Sequence, residues 1–442
     1  MIQTGAKALA ALEADLNARI NPERSRLFDR KRLEASRQVL FELSLHAWPE
    51  LTGERISVVG SNGKGSTAWF LAGLLESPER TLTTAPVGLY TSPHLRVVLE
   101  RIRLNREPLN AQQALAELER LRDILPEYAD YSYFEILTLL ALNLFHTRRC
   151  PAQIFEAGLG GRFDATRIAR AQTVVLTRID LEHTKILGDT HQAILREKLG
   201  IITPDCRDIF YGPQAHLSDD EIQTQIQGLA PAARIHVWRP ATPGGYSDYL
   251  AENLAFARFI LKTLNEHTPI ADAAHIEGVA NIAPPPGRLE IRALRLTTAT
   301  GMSGEPSPRS VPACYDVAHN PASIARALQD VRSRPEFSGF RRGEVHLGVL
   351  NDRDVNECMA AARSAGFENV RLLRGPELAP APGLPALDPP PAGVSVTGAP
   401  GIAADTEFLV VLGSHRIYNY FVELTAGPEK TDRDEDVRDA GS

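Results

Sequence analysis

Residues 60–67 read Gly-Ser-Asn-Gly-Lys-Gly-Ser-Thr, and their types and spacing suit the binding of phosphate. Gly60, Gly63 and Gly65 let backbone amides crowd an anion, Lys64 adds a full positive charge, and Ser66 or Thr67 offers a hydroxyl to Mg2+. The usual phosphate-loop pattern is not matched letter for letter, so an ordinary glycine-rich turn is the competing reading. Ser92, Glu156 and His183 supply a hydroxyl, a carboxylate and an imidazole, donors that suit a small divalent cation carried in by ATP. Each alone has a plainer role, as a turn residue before Pro93, a solvated carboxylate and a structural histidine. Lys198, within Arg196-Glu197-Lys198-Leu199-Gly200, reads alone as a surface lysine on an amphipathic helix. Asp316, His319 and Asn320 place an acid, an imidazole and an amide on one turn, where Asn320-Pro321 also serves as a helix start.

To act together, these side chains must be gathered by strands and helices. Ile56–Val59 reads as a buried strand entering the phosphate loop, and Trp69, Phe70, Leu71, Leu74 and Leu75 follow it at helical spacing. Val87–Tyr90, Ala152–Ala157 and Thr173–Leu176 read as further strands, with helices over Ala111–Leu121 and Tyr133–His146. Two helices, Lys7–Ile20 and Asp29–Ala47, precede them. Such alternation predicts an α/β domain with a mostly parallel sheet, whose ligands bind at the carboxyl ends of the strands. Asn281–Gly287, with three prolines, is the expected linker. A second α/β pattern follows, with strands at Leu289–Ala293, Ala313–Val317, Glu344–Val349, Val370–Leu373 and Phe408–Leu412. Its helices are expected near Pro321–Val331, Val355–Ala365 and Arg416–Leu424. The reading divides the chain into 1–283, 284–426 and a disordered tail, 427–442, with insertions at Thr297–Arg309 and Glu377–Pro400.

At 442 residues, two domains are the expectation. A net charge of -7 argues against general nucleic-acid or anionic-membrane binding, and no apolar run reaches the roughly 20 residues that span a bilayer. The N-terminal segment reads as a helix of the mature protein, and the four widely spaced cysteines as reduced thiols of a cytoplasmic protein.

Eleven segments, in order, resemble the folylpolyglutamate synthase/dihydrofolate synthase family of the Mur ligase superfamily. They are GSNGKGST (60–67), GLYTSPHL (88–95), ERIRLN (100–105), YFEILT (133–138), FEAGLGGRFDAT (155–166), EHTKILGDT (182–190), REKLGII (196–202), PGRLE (286–290), DVAHNP (316–321), LNDRD (350–354) and LGSHRIY (412–418). The resemblance implies a P-loop-type ATPase domain, a smaller Rossmann-like C-terminal α/β domain, and a site in the cleft. It implies that Gly60, Asn62, Gly63, Lys64, Gly65, Ser66 and Thr67 hold phosphates, and that Asn253, Arg288 and Asp316 contact the nucleotide. Ser66, Ser92, Glu156 and His183 match the metal set for one or two Mg2+ ions, and Lys198 matches a lysine that the family carbamylates. Phe134, Glu135, Arg162 and Asp164 fall in substrate-facing segments, and His319 lies where the acceptor amino acid is expected. The implied reaction is ATP-dependent addition of L-glutamate to a folate or dihydropteroate carboxylate through an acyl phosphate, by a monomer acting on small molecules. Ser61, Glu182, Arg106 and Arg167 depart from the family pattern, and its N-terminal pterin-holding segment is not recognisable in Asn21–Leu43. A ligase for another carboxylate and amine, and a non-catalytic ATP-binding protein, are the alternatives.

Overall fold

A computed structural model describes residues 2–19, 30–76, 85–125, 128–240, 245–270, 273–278, 282–297, 308–351, 353–375, 378–379, 386–387, 402 and 405–426. The tail 427–442, most of Glu377–Pro400 and the middle of Thr297–Arg309 therefore lie outside the described residues. By contacts the chain forms two compact units, Met1–Pro243 with Asn253–Pro284, and Gly244–Glu252 with Pro285 onward.

The first unit is built on eight strands, β1 (Glu54–Val59), β2 (Gly88–Tyr90), β3 (Ile102–Leu104), β4 (Glu107–Pro108), β5 (Ala152–Glu156), β6 (Thr173–Leu176), β7 (Asp208–Tyr211) and β8 (Arg234–Val237). Their order is β4-β3-β2-β5-β1-β6-β7-β8, parallel from β2 to β8 and antiparallel only at the β2-β3-β4 edge. Every residue of β1, β5 and β6 is buried, as expected of strands covered on both faces. Helix Tyr133–Thr147 buries nearly all its surface, packing through Phe134, Leu137 and Phe145 into a core that also contains Tyr90 and Phe155. Its start is fixed by a capping box, Ser132 with Glu135.

The second unit carries β9 (Glu290–Thr297), β10 (Pro308–Asp316), β11 (Gly343–Gly348), β12 (Asn369–Leu373), β13 (Ala386–Leu387) and β14 (Phe408–Gly413), in the order β13-β12-β11-β14-β10-β9. All neighbours are parallel except β9 and β10. The described ends of the expected insertion Thr297–Arg309 are strand residues, since Thr297 pairs with Pro308 and Leu296 with Arg309. Helix Pro321–Ser333 starts on Asn320, whose side chain accepts from the Ser323 amide, with Pro321 at its first position.

Sequence reading passed over β7 and β8, which are four residues each and flanked by charge. Tertiary pairing supports them. Asp208 is buried at the start of β7 and accepts both Arg234 nitrogens, at 2.8 and 2.7 Å, and pairs with His236 at 2.8 Å. Burial pushes its carboxyl up, but these partners outweigh burial and hold it below the ordinary carboxylate range. A depressed carboxyl contributes stability that is present above its unfolded pKa, about 4, and is lost as pH falls through the folded value. Asp208→Asn is accordingly expected to cost about 1–2 kcal/mol at pH 7, the low figure reflecting half-exposed Arg234. Urea melts should show that difference shrinking below pH 4; a constant difference would assign the effect to packing.

Among the described residues no helix is long and apolar enough to cross a membrane. Cys150, Cys206, Cys314 and Cys358 are free and buried.

Candidate active site

In the first unit, strand order brings the chemistry together. β2, β5, β1 and β6 are neighbours, and their carboxyl ends deliver Ser92, Glu156, the phosphate loop and His183 to one edge. β1 leads into Gly60, which adopts φ 149°; a Cβ there would fall 1.9 Å from Thr177 Oγ1. The Ser61 and Asn62 amides donate to Arg178 O at 2.7 and 3.2 Å, Ser61 Oγ donates to Asp180 O, and Asn62 Nδ2 donates to Asp180 Oδ2 at 2.5 Å. The loop is thus stapled to the segment leaving β6. Gly63, left-handed at φ 92°, opens helix Lys64–Leu75 with no side-chain cap, a helix start whose amides suit an anion. A Cβ on Gly63 would lie 3.1 Å from Asn253 Oδ1, which places Asn253 beside the loop.

Lys64 Nζ rests on its own loop, donating to Gly60 O at 2.7 Å and Ser61 O at 3.3 Å. Lys198 Nζ donates to the same Gly60 oxygen at 2.7 Å and to Glu182 Oε1 at 2.6 Å. Lys198 is only 1% exposed, so its reading as a surface lysine is overturned: it lies on the inner face of helix His191–Leu199. Burial takes its ammonium down to about 8, with Glu182 opposing. Burial pushes Glu182 up, but Lys198 and then Lys64 outweigh that and hold it well below the carboxylate range. Glu182 was not among the sequence-derived site residues, although it directly precedes His183. His183 itself is left-handed, at φ 45°, heading the turn Thr184–Leu187.

Glu156 is buried, and its Oε2 accepts the Ser92 amide at 3.0 Å. Ser66 is buried one turn into the loop helix, and beside it the Thr67 hydroxyl is buried without a hydrogen-bond partner. Among the described residues no three His, Cys, Asp or Glu side chains converge into a metal cage. A hydroxyl, one buried carboxylate and an imidazole fit a magnesium-type ion that keeps phosphate oxygens and waters as its remaining ligands.

Three of the expected substrate residues, Asp164, Glu135 and Phe134, have side chains with internal roles. Asp164 Oδ2 accepts the Gly158 and Leu159 amides, each at 2.9 Å, and its Oδ1 accepts the Thr166 amide and hydroxyl, so its carboxylate shapes the loop after β5. Arg162 is exposed, and its amide donates to Glu197 O. Glu135 Oε2 accepts the Ser132 amide at 2.7 Å, a role already legible in the Ser-x-x-Glu spacing. Phe134 packs against Tyr90, with centroids 5.9 Å apart, and over Gly158. Arg106 pairs with Glu76 at 2.8 Å across the Trp69 ring, and Arg167 donates to Gly200 O over the Phe41 ring.

In the second unit Asp316 ends β10 and is buried. It accepts from the Leu289 and Ala318 amides, each at 2.8 Å, and from the Tyr249 hydroxyl. Burial raises its carboxyl, against the charge of Arg288. His319 Nδ1 lies 2.8 Å from Val317 O, so Nδ1 carries the proton and Nε2 is the basic nitrogen of the neutral ring.

No family model matches the chain. Folylpolyglutamate synthase of Lacticaseibacillus casei is 30% identical over 387 residues, covering 79% of this chain and 82% of the relative. Dihydrofolate synthase/folylpolyglutamate synthase of Escherichia coli (strain K12) is 30% identical over 325 residues, 70% of each chain. A solved bifunctional folylpolyglutamate synthase/dihydrofolate synthase with Mn, AMPPNP and L-glutamate bound superposes with a TM-score of 0.66 at 22% identity, over 94% of this chain and 97% of that one. With a fold of two α/β units, a phosphate loop at the end of β1 and this likeness across most of its length, the chain belongs to the folylpolyglutamate synthase/dihydrofolate synthase family of ATP-dependent ligases.

Proposed function

We propose that the chain joins L-glutamate to the carboxylate of a folate or dihydropteroate, converting ATP to ADP and phosphate. The observation that carries this reading is the seat of Lys64 against the Gly60 carbonyl, on a loop whose helix start lacks a side-chain cap. Phosphoryl transfer needs positioned positive charge and oriented amides, which this loop supplies. The substrate carboxylate attacks the γ-phosphorus of ATP and ADP departs, leaving an acyl phosphate. The glutamate amine then attacks the acyl carbon, the C–N bond of the amide forms, the acyl C–O bond breaks, and phosphate leaves with that oxygen and the bonding electron pair. Lys64 holds the transferring phosphoryl group, while Arg288 and Asp316 bind the nucleotide. His319 Nε2 takes the proton shed by the amine, since Nδ1 is committed to Val317 O.

Ser66, Ser92, Glu156 and His183 are the residues that would hold the divalent cation, which when bound neutralises charge on the phosphates. Lys198 is carbamylated in the working enzyme: its buried amine, brought down to about 8, adds to CO2, forming an N–C bond and releasing a proton to solvent. Carbamylation exchanges a cation for an anion beside Glu182, so it goes with binding of a second cation. The enzyme acts as a monomer in the cytoplasm, and its four free, buried cysteines are in keeping with a reducing compartment.

Purified protein with ATP, Mg2+ and glutamate is expected to form ADP when given dihydropteroate or tetrahydrofolate. ADP formation with neither, but with an unrelated carboxylate, would leave a ligase and remove folate as its substrate.

A further inference from the structure

The turn that carries Arg288 is held in an unfavourable backbone conformation. Gly287 and Leu289 on either side are both left-handed, at φ 71° and 43°. For leucine this costs about 1 kcal/mol or more, and such a residue persists only where its surroundings fix it. Three hydrogen bonds do so: the Val317 amide donates to Gly287 O at 3.2 Å, the Gly287 amide to Glu290 Oε2 at 2.9 Å, and the Leu289 amide to Asp316 Oδ2 at 2.8 Å. The direction of Arg288 therefore depends on where the Asp316 carboxylate sits.

That carboxylate is itself aimed from a distant part of the chain. Tyr249 opens helix Tyr249–Asn265 and donates its hydroxyl to Asp316 Oδ2, the oxygen that holds Leu289. The start of that helix is pinned within the same unit. The Tyr249 amide donates to Asp330 Oδ2 at 3.0 Å, Asp248 Oδ1 caps the Leu250 and Ala251 amides, and Asp248 pairs with Arg334 at 2.7 Å. The phenol has little freedom to leave Asp316.

We propose that Tyr249 is a positioning residue for nucleotide binding: its hydroxyl locks Asp316, which holds the Leu289 amide and so aims Arg288. The inference rests on the proposed contact of Arg288 with the nucleotide. Burial pushes the Tyr249 phenol well up, which keeps it a neutral donor across the working range. Asp316 without it retains one amide donor on each oxygen, Ala318 on Oδ1 and Leu289 on Oδ2, enough to keep the fold, but Oδ2 loses the one side-chain donor that steadies it against the strained turn.

The test is ADP binding with Mg2+, by calorimetry on the full chain, for three variants. Tyr249→Phe keeps the ring, and is expected to raise the ADP Kd and the KM for ATP about tenfold. That corresponds to about 1.4 kcal/mol, the scale of one hydrogen bond to a charged acceptor. The kcat and the KM for glutamate should stay within about twofold, and hydrogen exchange across residues 286–290 should quicken. Tyr420→Phe removes a comparable buried phenol bond, to His346 at 2.7 Å, and should lower Tm without changing ADP affinity. Arg288→Ala should weaken ADP at least as much as Tyr249→Phe. If Arg288→Ala weakens ADP while Tyr249→Phe binds it as wild type does, the role assigned to Tyr249 is overturned and the nucleotide contact stands. If Arg288→Ala leaves ADP affinity unchanged, the contact itself is wrong and the inference falls with it.

Discussion

Lys64→Ala is expected to lower kcat/KM about 10³-fold or more while the protein stays folded. In the proposed mechanism Lys64 supplies a full charge where the γ-phosphoryl group moves, so its removal would take about 4 kcal/mol from transition-state stabilisation. The folded state loses far less. Gly60 O keeps Lys198 as a donor at 2.7 Å, and the bond to Ser61 O is long, at 3.3 Å. A stability loss of about 1 kcal/mol, a few degrees in Tm, follows from one weak hydrogen bond. ADP release at the wild-type rate under saturating ATP would withdraw Lys64 from the chemistry.

Lys198→Ala should be as damaging to turnover, but through a different balance. It takes from buried Glu182 its hydrogen-bonded partner, and breaking a buried ion pair costs about 3–5 kcal/mol. Loss of activity by itself would therefore be ambiguous between unfolding and missing chemistry. The double variant Lys198→Ala/Glu182→Gln separates them, since removing both charges should restore most of the Tm while leaving the enzyme inactive. If Lys198 works as a carbamate, acetate should partly rescue the single variant. Carbon-13 spectra with labelled bicarbonate should show a carbamate signal in the wild type that the variant lacks. A Lys198→Ala enzyme that turns over normally, with no response to acetate, would return Lys198 to a structural ion pair.

The two predictions differ because Lys64 and Lys198 were legible in the sequence to different degrees. Lys64 stands inside a local pattern of glycines between a strand and a helix, whose meaning is carried by neighbours within a few residues. Lys198 sits on a short helix of mixed polarity, and only resemblance to a family singled it out. Its burial depends on Gly60, 138 residues away, and on Glu182, 16 away. Glu135 and Asp164 show the converse, since the helix-capping and Asx geometry that occupies their carboxylates is local and could be read from Ser132-x-x-Glu135 and Asp164-Ala-Thr.

By itself the sequence determined the α/β class, the parallel core strands and the placing of polar residues at strand ends. Hydrophobic runs, glycine turns and helix caps act over short separations, and their chemistry is written in consecutive residues. Tertiary structure alone decided which charges meet. Burial of Lys198 against Glu182, the pairing of Arg106 with Glu76, and the reach of Tyr249 to Asp316, 67 residues on, arise only when the folding of each unit brings its distant segments together. Pair energies between charges depend on burial and on distances of a few ångströms, and neither is encoded in spacing along the chain.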